Sequence, residues 1–479
     1  MSAFDDHLTA VFGADRERFL AHAQAPTFVR ANPLYAPADQ LPATLARYGL
    51  ELQRHPLPNV AAWQVVGSRH GHSAGVCLHH FLGAFAIQSI GSMVPPLLLD
   101  PQPGERVLDL CAAPGSKTSQ IAALMQGRGT LWANDLKARR MSPLAAVLDA
   151  AGVDCIALIN RDGSLLPKAA PKPFDRVLAD VPCTGLGCRD HLAQNRAYFE
   201  HRGGPSGLPN LQYRLLMAAT RLVREGGRVV YSTCSLDPAE NEAVVHAALE
   251  RLPLRLIEPP ELAGLTQREG RTRHGALAFH PTLAHARRLQ PWENPSEGFF
   301  VAVLERTGPL PERYQTSMDS SEVQAHIPTL AFDHPDVLPM LTQINQTYGI
   351  PLERFEAWRY LISNRRSTMV PTTVEAVWGG VMRAGAALGR RSGGDWRLSH
   401  TAIQRFRNTI TRGRVELTAG QLHDLATHGT CTLSAGQEPS IHGPALACEE
   451  VGGPFARGIW RQGKLRWKKP RRYVAPEQG

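Results

Sequence analysis

Short, almost wholly apolar runs recur along the middle of the chain, each followed by a break of small or acidic residues and then by apolar positions at helical spacing. The runs cover residues 106–110, 129–135, 153–158, 174–180 and 227–235, and a last one covers 299–304. A strand with no polar face is covered on both sides, and strands that alternate with helices form a parallel sheet. Residues 87–98 and 118–125 carry the helical spacing before and after the first run. The core expected over residues 86–306 is therefore α/β, Rossmann-like and doubly wound. Ahead of it, residues 1–85 mix helical and extended segments and predict a small α+β module, in which the apolar strand at 28–34 carries Arg30 and Asn32. Behind it, residues 307–321 are polar and Pro-containing and read as a linker, and residues 322–479 are Gly-rich and mainly β in pattern.

The breaks between the runs carry the chemistry. The first run ends in Asp109-Leu110-Cys111-Ala112-Ala113-Pro114-Gly115-Ser116-Lys117, a tight turn of small residues that opens a helix. Small residues let the backbone approach a ligand, and the free N–H groups of a helix start offer donors with a favourable dipole. The spacing is neither that of a phosphate-binding P-loop nor that of the dinucleotide G-x-G-x-x-G fingerprint. A cofactor with a carboxylate and an adenosine but no phosphate fits it, which points to S-adenosylmethionine; the plain alternative is a structural βα turn. The second run ends in Asp135, where an acid is placed to bind ribose hydroxyls, and the third is followed by Asp162 next to Gly163. The fourth passes into Asp180-Val181-Pro182-Cys183-Thr184-Gly185 and the fifth into Ser232-Thr233-Cys234-Ser235. Acids and thiols thus gather at the carboxyl ends of strands, the edge where open α/β sheets bind ligands.

Charge narrows the partner. With 52 Lys and Arg against 43 Asp and Glu, the 479 residues carry a formal +9, which favours a polyanion, nucleic acid first. The C-terminal end concentrates it: Arg457, Arg461, Lys464, Arg466, Lys468, Lys469, Arg471 and Arg472 are interleaved with Trp460, Trp467 and Tyr473, cations for phosphates and rings for bases. No apolar run reaches the length of a membrane span and the N-terminus has no signal-like apolar segment, so a cytoplasmic protein without membrane contact is expected. The eight cysteines form no C-x-x-C pair and read as reduced thiols. His70, His72, Cys77, His79 and His80 crowd one stretch, but their spacing matches no zinc pattern and no metal is expected.

Two cysteines at adjacent strand ends, one beside Asp180, suit methylation of a pyrimidine at carbon 5. That carbon is a poor nucleophile until a thiolate adds at carbon 6 and makes an enamine of the ring. The aspartate can hydrogen-bond the ring and steady the developing charge, and a second thiol can assist release. The attacking thiol needs a cationic or dipolar setting, which Lys117 can supply. These residues alone do not decide which of Cys183 and Cys234 attacks.

Residues 109–117, 180–185 and 231–235 together resemble the motifs of the RsmB/NOP family of RNA cytosine-C5 methyltransferases, and the resemblance runs from about Phe28 to Arg306. The layout, with its C-terminal extension, is similar to that of bacterial ribosomal-RNA members. The resemblance implies a methyltransferase core, an N-terminal RNA-recognition module over 1–85 and a PUA-like RNA-binding module over 322–479. It implies that Cys111, Ala112, Ala113, Pro114, Gly115, Ser116 and Lys117 cradle the methionine part of S-adenosylmethionine. Asp135 would take the ribose, Asp162 the adenine amine, and Asp180 would lie between cofactor and cytosine. Cys234 would be the nucleophile and Cys183 the residue that assists release. The expected substrate is structured RNA, small-subunit ribosomal RNA ahead of tRNA, with the target base out of its stack, met by a monomer. The alternatives are the same chemistry on tRNA and a non-catalytic ribosome-assembly factor that keeps the fold. The sequence departs from the family pattern at Ser89, where an acid is usual after Gln88, at Asp190 and His191, where basic residues are usual, and at 202–205.

Overall fold

A computed structural model describes residues 2–168, 173–202, 207–314, 328–374, 381–437, 443–449, 453–461 and 464–467. Of the basic C-terminal end, Lys468, Lys469, Arg471, Arg472 and Tyr473 lie outside these residues, as do residues 203–205 of the unusual stretch and 315–321 of the expected linker.

The N-terminal strands β1 (Phe28–Ala31), β2 (Leu50–Arg54), β3 (Ala62–Ser68) and β4 (Phe85–Ile87) form an antiparallel sheet in the order β2-β3-β1-β4. The central sheet holds β5 (Arg106–Asp109), β6 (Thr130–Asn134), β7 (Ile156–Ile159), β8 (Phe174–Asp180) and β9 (Val223–Thr233), all parallel, in the order β9-β8-β5-β6-β7. Its apolar strands lie between two layers. Helix Leu208–Leu222 packs with Leu108, Trp132, Phe174 and Tyr231 on one face, and helices Ile90–Leu99, Ser116–Leu124 and Ala138–Ala150 cover Val107, Leu131, Leu178 and Val230 on the other. Each such side chain contributes roughly 1.5–3 kcal/mol on burial. Strand order reverses at β5, so the turn after β5 and the ends of β6, β8 and β9 open onto one crevice, the place where ligands bind such sheets. Ser89 N-caps helix Ile90–Leu99, accepting from Ser92 N at 3.4 Å; capping at a helix start is a role an acid also serves.

The sheet continues beyond β9 through β10 (Leu254–Ile257), β11 (Arg268–Glu269), β14 (Arg287–Leu289) and β15 (Phe299–Arg306), with β12 (Arg273–His274) and β13 (Leu277–Ala278) forming a separate hairpin. β15 runs antiparallel to β9 and carries Phe300, Ala302 and Leu304 into the core.

The C-terminal strands are β16 (Trp358–Ile362), β17 (Arg366–Pro371), β18 (Val381–Ala384), β19 (Ala386–Ser392) and β20 (Asp395–Leu398), then β21 (Arg414–Leu417), β22 (Thr430–Thr432), β23 (Gly443–Glu449), β24 (Gly453–Arg461) and β25 (Lys464–Arg466). The region is strand-rich, in two further sheets, but it does not stand apart. β18 pairs antiparallel with β7 and becomes the edge of the central sheet. The β21–β25 sheet shares one apolar core with the N-terminal sheet, in which Val29, Trp63 and Phe85 meet Val415, Leu425, Trp460 and Leu465. At the other end, helix Ala3–Phe12 leaves the N-terminal sheet and packs Phe4, Leu8 and Phe12 with Leu186, Phe199 and Leu236 from the region of the central sheet. Apolar periodicity sets element type, not which surfaces meet, so neither association shows in the pattern.

Candidate functional site

The turn after β5 is held from behind. Asn134 Nδ2 donates to Leu110 O at 3.0 Å and to Arg161 O at 3.1 Å, and Ala112 N donates to Asn134 O at 2.7 Å. Gly115 has φ +112°, in the left-handed region, and a Cβ there would lie 3.0 Å from Leu144 Cδ1, so the helix start needs glycine. Thr118 Oγ1 donates to Asp109 Oδ2 at 2.7 Å, and burial pushes the Asp109 carboxyl up to about 7. Burial likewise raises the Cys111 thiol, leaving it a neutral part of the turn.

Carboxylates stand at the next two strand ends. Asp135 accepts from Lys137 N at 2.9 Å and Ala113 N at 3.3 Å and pairs with Arg140 at 3.1 Å. Asp162 accepts from Ser164 N at 2.9 Å and Ser164 Oγ at 2.7 Å. Lys117, the cation of the turn, is committed to Asp180 at 2.8 Å and lies 5.2 Å from the ring centre of Phe299. Acids at the strand ends and a lysine already paired repel a phosphate and accept hydroxyls and an amine. The residues therefore fit an adenosine cofactor without phosphate, as S-adenosylmethionine is.

Two loops bring the thiols together. Cys183 Sγ lies 3.2 Å from Cys234 Sγ, and Asp180, three residues before Cys183, accepts Ser232 Oγ at 2.8 Å on the oxygen not used by Lys117. A hydrogen bond joins the Cys183 and Cys234 sulfurs. That bond, a second from Cys188, and the nearby Lys117 and His191 hold Cys234 well below the ordinary thiol range against the effect of burial. The same bond pushes Cys183 well above it. The two sulfurs thus lie in contact with opposite shifts, down for Cys234 and up for Cys183.

The loops are clamped by Glu240, wholly buried, which accepts Thr184 N at 2.9 Å, Ser235 Oγ at 2.6 Å and Gln212 Nε2 at 2.8 Å, and also Thr184 Oγ1. Gln212 reaches Pro182 O at 2.9 Å as well, so one carboxylate ties the Asp180–Cys183 segment to the Cys234 loop. Backbone contact completes it: Gly187 N donates to Cys234 O at 2.9 Å, Gly298 N to Gly187 O at 2.8 Å, and a Cβ on Gly187 would lie 2.7 Å from Cys234 O. A recess of about 130 Å3 beside Cys188 is lined by His191, Asp190, His22 and Gln24. There Asp190 accepts Gln24 Nε2 at 3.3 Å and Arg189 donates to His22 O, so the segment that departs from the family pattern fastens residues 22–24 beside Cys188.

The turn residues 111–117, Asp135, Asp162, Asp180, Cys183 and Cys234 all lie at the carboxyl edge of the parallel strands. Sequence reasoning missed Cys188, Glu240, Gln212 and His191. For Cys188 a signal existed, a second thiol five residues after Cys183; for the others only the fold reveals the approach. Of the histidine-rich stretch, His79 and Cys77 are buried, His79 bonds Tyr48 at 2.7 Å, and among the described residues no three metal-binding side chains cluster.

The profile of the family described as 16S rRNA methyltransferase RsmB/F matches residues 96–305. A Pyrococcus abyssi protein named tRNA (cytosine(49)-C(5))-methyltransferase is 32% identical over 310 residues, covering 61% of this chain and 92% of the relative. The chain belongs to the RsmB/F family. The Escherichia coli protein named Ribosomal RNA small subunit methyltransferase F is 33% identical over 315 residues, 61% of this chain and 60% of the relative. Four eukaryotic relatives named as 25S, 26S or 28S rRNA methyltransferases are matched at 32–34% identity, and the chain spans less than half of their length, 35–46%. A crystal structure of a methyltransferase homologue from Pyrococcus horikoshii aligns with TM-score 0.55 and 30% identity over 63% of this chain and 94% of that one. The Rossmann-like core is common to the RsmB/F chain and this neighbour, and among the described residues no helix is long and apolar enough to cross a membrane.

Proposed function

We propose that the chain transfers a methyl group from S-adenosylmethionine to carbon 5 of a cytosine in structured RNA, through a covalent bond between Cys234 and carbon 6. The observation that carries this reading is the pair of thiols at 3.2 Å, with Cys234 held below and Cys183 above the ordinary thiol range, beside the Lys117–Asp180 ion pair. Bound cofactor supplies the electrophilic methyl group. The turn 111–117 holds its methionine end, Asp135 accepts its ribose hydroxyls and Asp162 its adenine amine. Cys234 adds to carbon 6 and makes carbon 5 nucleophilic. Asp180, paired with Lys117 and hydrogen-bonded by Ser232, is placed to hydrogen-bond the cytosine and orient its ring. After transfer, water takes the carbon 5 proton, the electron pair of that C–H bond re-forms the 5,6 double bond and expels the Cys234 sulfur, and Cys183 assists release by hydrogen-bonding the departing thiolate.

Ribosomal RNA of the small subunit is the favoured substrate: the family profile and the Escherichia coli relative bear that name, and the C-terminal region adds Lys464, Arg466 and Trp467 to a basic, aromatic end suited to RNA. The Pyrococcus abyssi relative, named for tRNA, supports the same chemistry on a second RNA class. The test is incubation of the purified chain with cofactor and unmodified small-subunit ribosomal RNA or tRNA, followed by bisulfite sequencing. A single 5-methylcytosine in ribosomal RNA, lost in Cys234→Ala, is expected; modification of tRNA alone reassigns the substrate, and no 5-methylcytosine in either RNA rejects the reading.

A further inference from the structure

A hollow of about 440 Å3 opens between the N-terminal sheet and helices Ser116–Leu124 and Ala138–Ala150, a size within the roughly 300–1,000 Å3 of ligand sites. Its walls are mostly apolar, and Ile87 and Val147 at its rim are 40% and 37% exposed. Arg30 lines it and is only 3% exposed. Three bonds fix the guanidinium: Nε to Gln88 Oε1 at 2.8 Å, and Nη2 to Ser119 Oγ at 2.9 Å and Ser116 O at 3.3 Å. All three acceptors are neutral, and the bonds leave Nη1 outside them. Among the described residues no carboxylate meets this cation, and burial lowers it to about 10. A buried charge without a counter-charge is costly, so the fold holds Arg30 ready for an anion that the chain itself does not provide.

The anion's character follows from the walls. One guanidinium matches the single charge of a phosphodiester, whereas a free phosphomonoester carries nearly two at neutral pH. Apolar side chains at the rim match the face of a base. Pro114 and Ser116 line the hollow while Lys117, next in the same turn, reaches Asp180, so the hollow and the thiol site share one turn. We propose that this hollow seats a nucleotide of the RNA substrate that flanks the target cytosine, with its phosphodiester on Arg30 and its base against Ile87 and Val147. The proposal rests on RNA being the substrate.

The test is equilibrium binding of the full chain to small-subunit ribosomal RNA transcripts and, as a second probe, tRNA, across a series of salt concentrations without cofactor. Arg30→Gln is expected to weaken binding roughly tenfold, the scale of one lost charged hydrogen bond, and to flatten the slope of log affinity against log salt by about 0.7–0.9. Val147→Glu, at the exposed rim, is expected to weaken RNA binding in the same direction while affinity for S-adenosylmethionine stays within about twofold of wild type. An unchanged salt slope in Arg30→Gln together with unchanged binding in Val147→Glu overturns the proposal. So does Arg30-dependent binding of free cytidine monophosphate without any change in the RNA slope, which marks a site for small nucleotides. Should Arg30→Gln fail to fold by circular dichroism, Val147→Glu and Ile87→Glu decide. Wild-type chain that binds RNA with the full slope but transfers no methyl group defeats the functional reading and leaves this one standing.

Discussion

Hydrogen bonds from neighbouring thiols and the charge of Lys117 hold Cys234 below the ordinary thiol range against burial. The lysine is the separable part. Lys117→Met removes the positive charge near Cys234, and alkylation of Cys234 is expected to require a pH higher by about one unit, the usual scale of a neighbouring charge. The readout is the pH profile of iodoacetamide labelling at Cys234, followed by mass spectrometry. Asp109 is the second titrating group of interest. Its folded-state value of about 7 lies above the roughly 3.9 of an unfolded aspartate, so between these limits the unfolded chain loses its proton first and stability falls as pH rises. Asp109→Asn is expected to remove part of the loss of Tm between pH 5 and pH 8. The comparison is thermal unfolding of both proteins at the two pH values, and equal losses contradict the assignment.

Single residues were also where the sequence was most readable. Asp135, Asp162, Asp180, Cys183 and Cys234 each follow an apolar run, and strand-end position is a local property of the chain. The meeting of the two thiols was not readable, because it is a 3.2 Å contact between loops 51 residues apart.

Among elements, the two cysteine loops depend on a carboxylate and on two glycines. Glu240→Gln keeps the shape but replaces an acceptor oxygen by an N–H2 facing donors such as Thr184 N and Gln212 Nε2. Turnover is expected to fall at least tenfold with little change in KM for cofactor, since the clamp sets the relation of the thiols and lies away from the 111–117 turn. Gly187→Ala presses a methyl group against Cys234 O and Gly298 O, at 2.7 and 2.5 Å. Overpacking of this kind costs about 1–3 kcal/mol, and a lower Tm together with slower methyl transfer is expected. The parallel strands were legible because continuous apolar runs between helices leave few other readings. Glu240 was not, since a glutamate six residues after Cys234 looks like the solvated start of a helix until the fold buries it.

For the whole molecule, the outer regions are bound into the core rather than strung beside it. β18 edges the central sheet, Arg405 and Trp358 both reach the buried Asp154 at 3.2 and 3.1 Å, and Arg383 pairs with Asp149. The β21–β25 sheet and the N-terminal sheet share apolar side chains across nearly four hundred residues of sequence. Calorimetry of the full chain is expected to show one cooperative transition, and Leu425→Ala to move all of it downward, the cavity costing about 2–5 kcal/mol. Two separate transitions, with only one of them shifted, contradict a shared core. No local pattern foretells this, because the amphipathic faces that meet are each compatible with many partners.

The most direct test of the central claim is a denaturing gel of Cys183→Ala and Cys234→Ala, each incubated with total RNA and S-adenosylmethionine. A protein that attacks through Cys234 and releases with the help of Cys183 gives a slow-migrating, nuclease-sensitive band in Cys183→Ala and none in Cys234→Ala. A band in Cys234→Ala alone reverses the two roles, and no band in either contradicts a covalent mechanism on the RNA supplied.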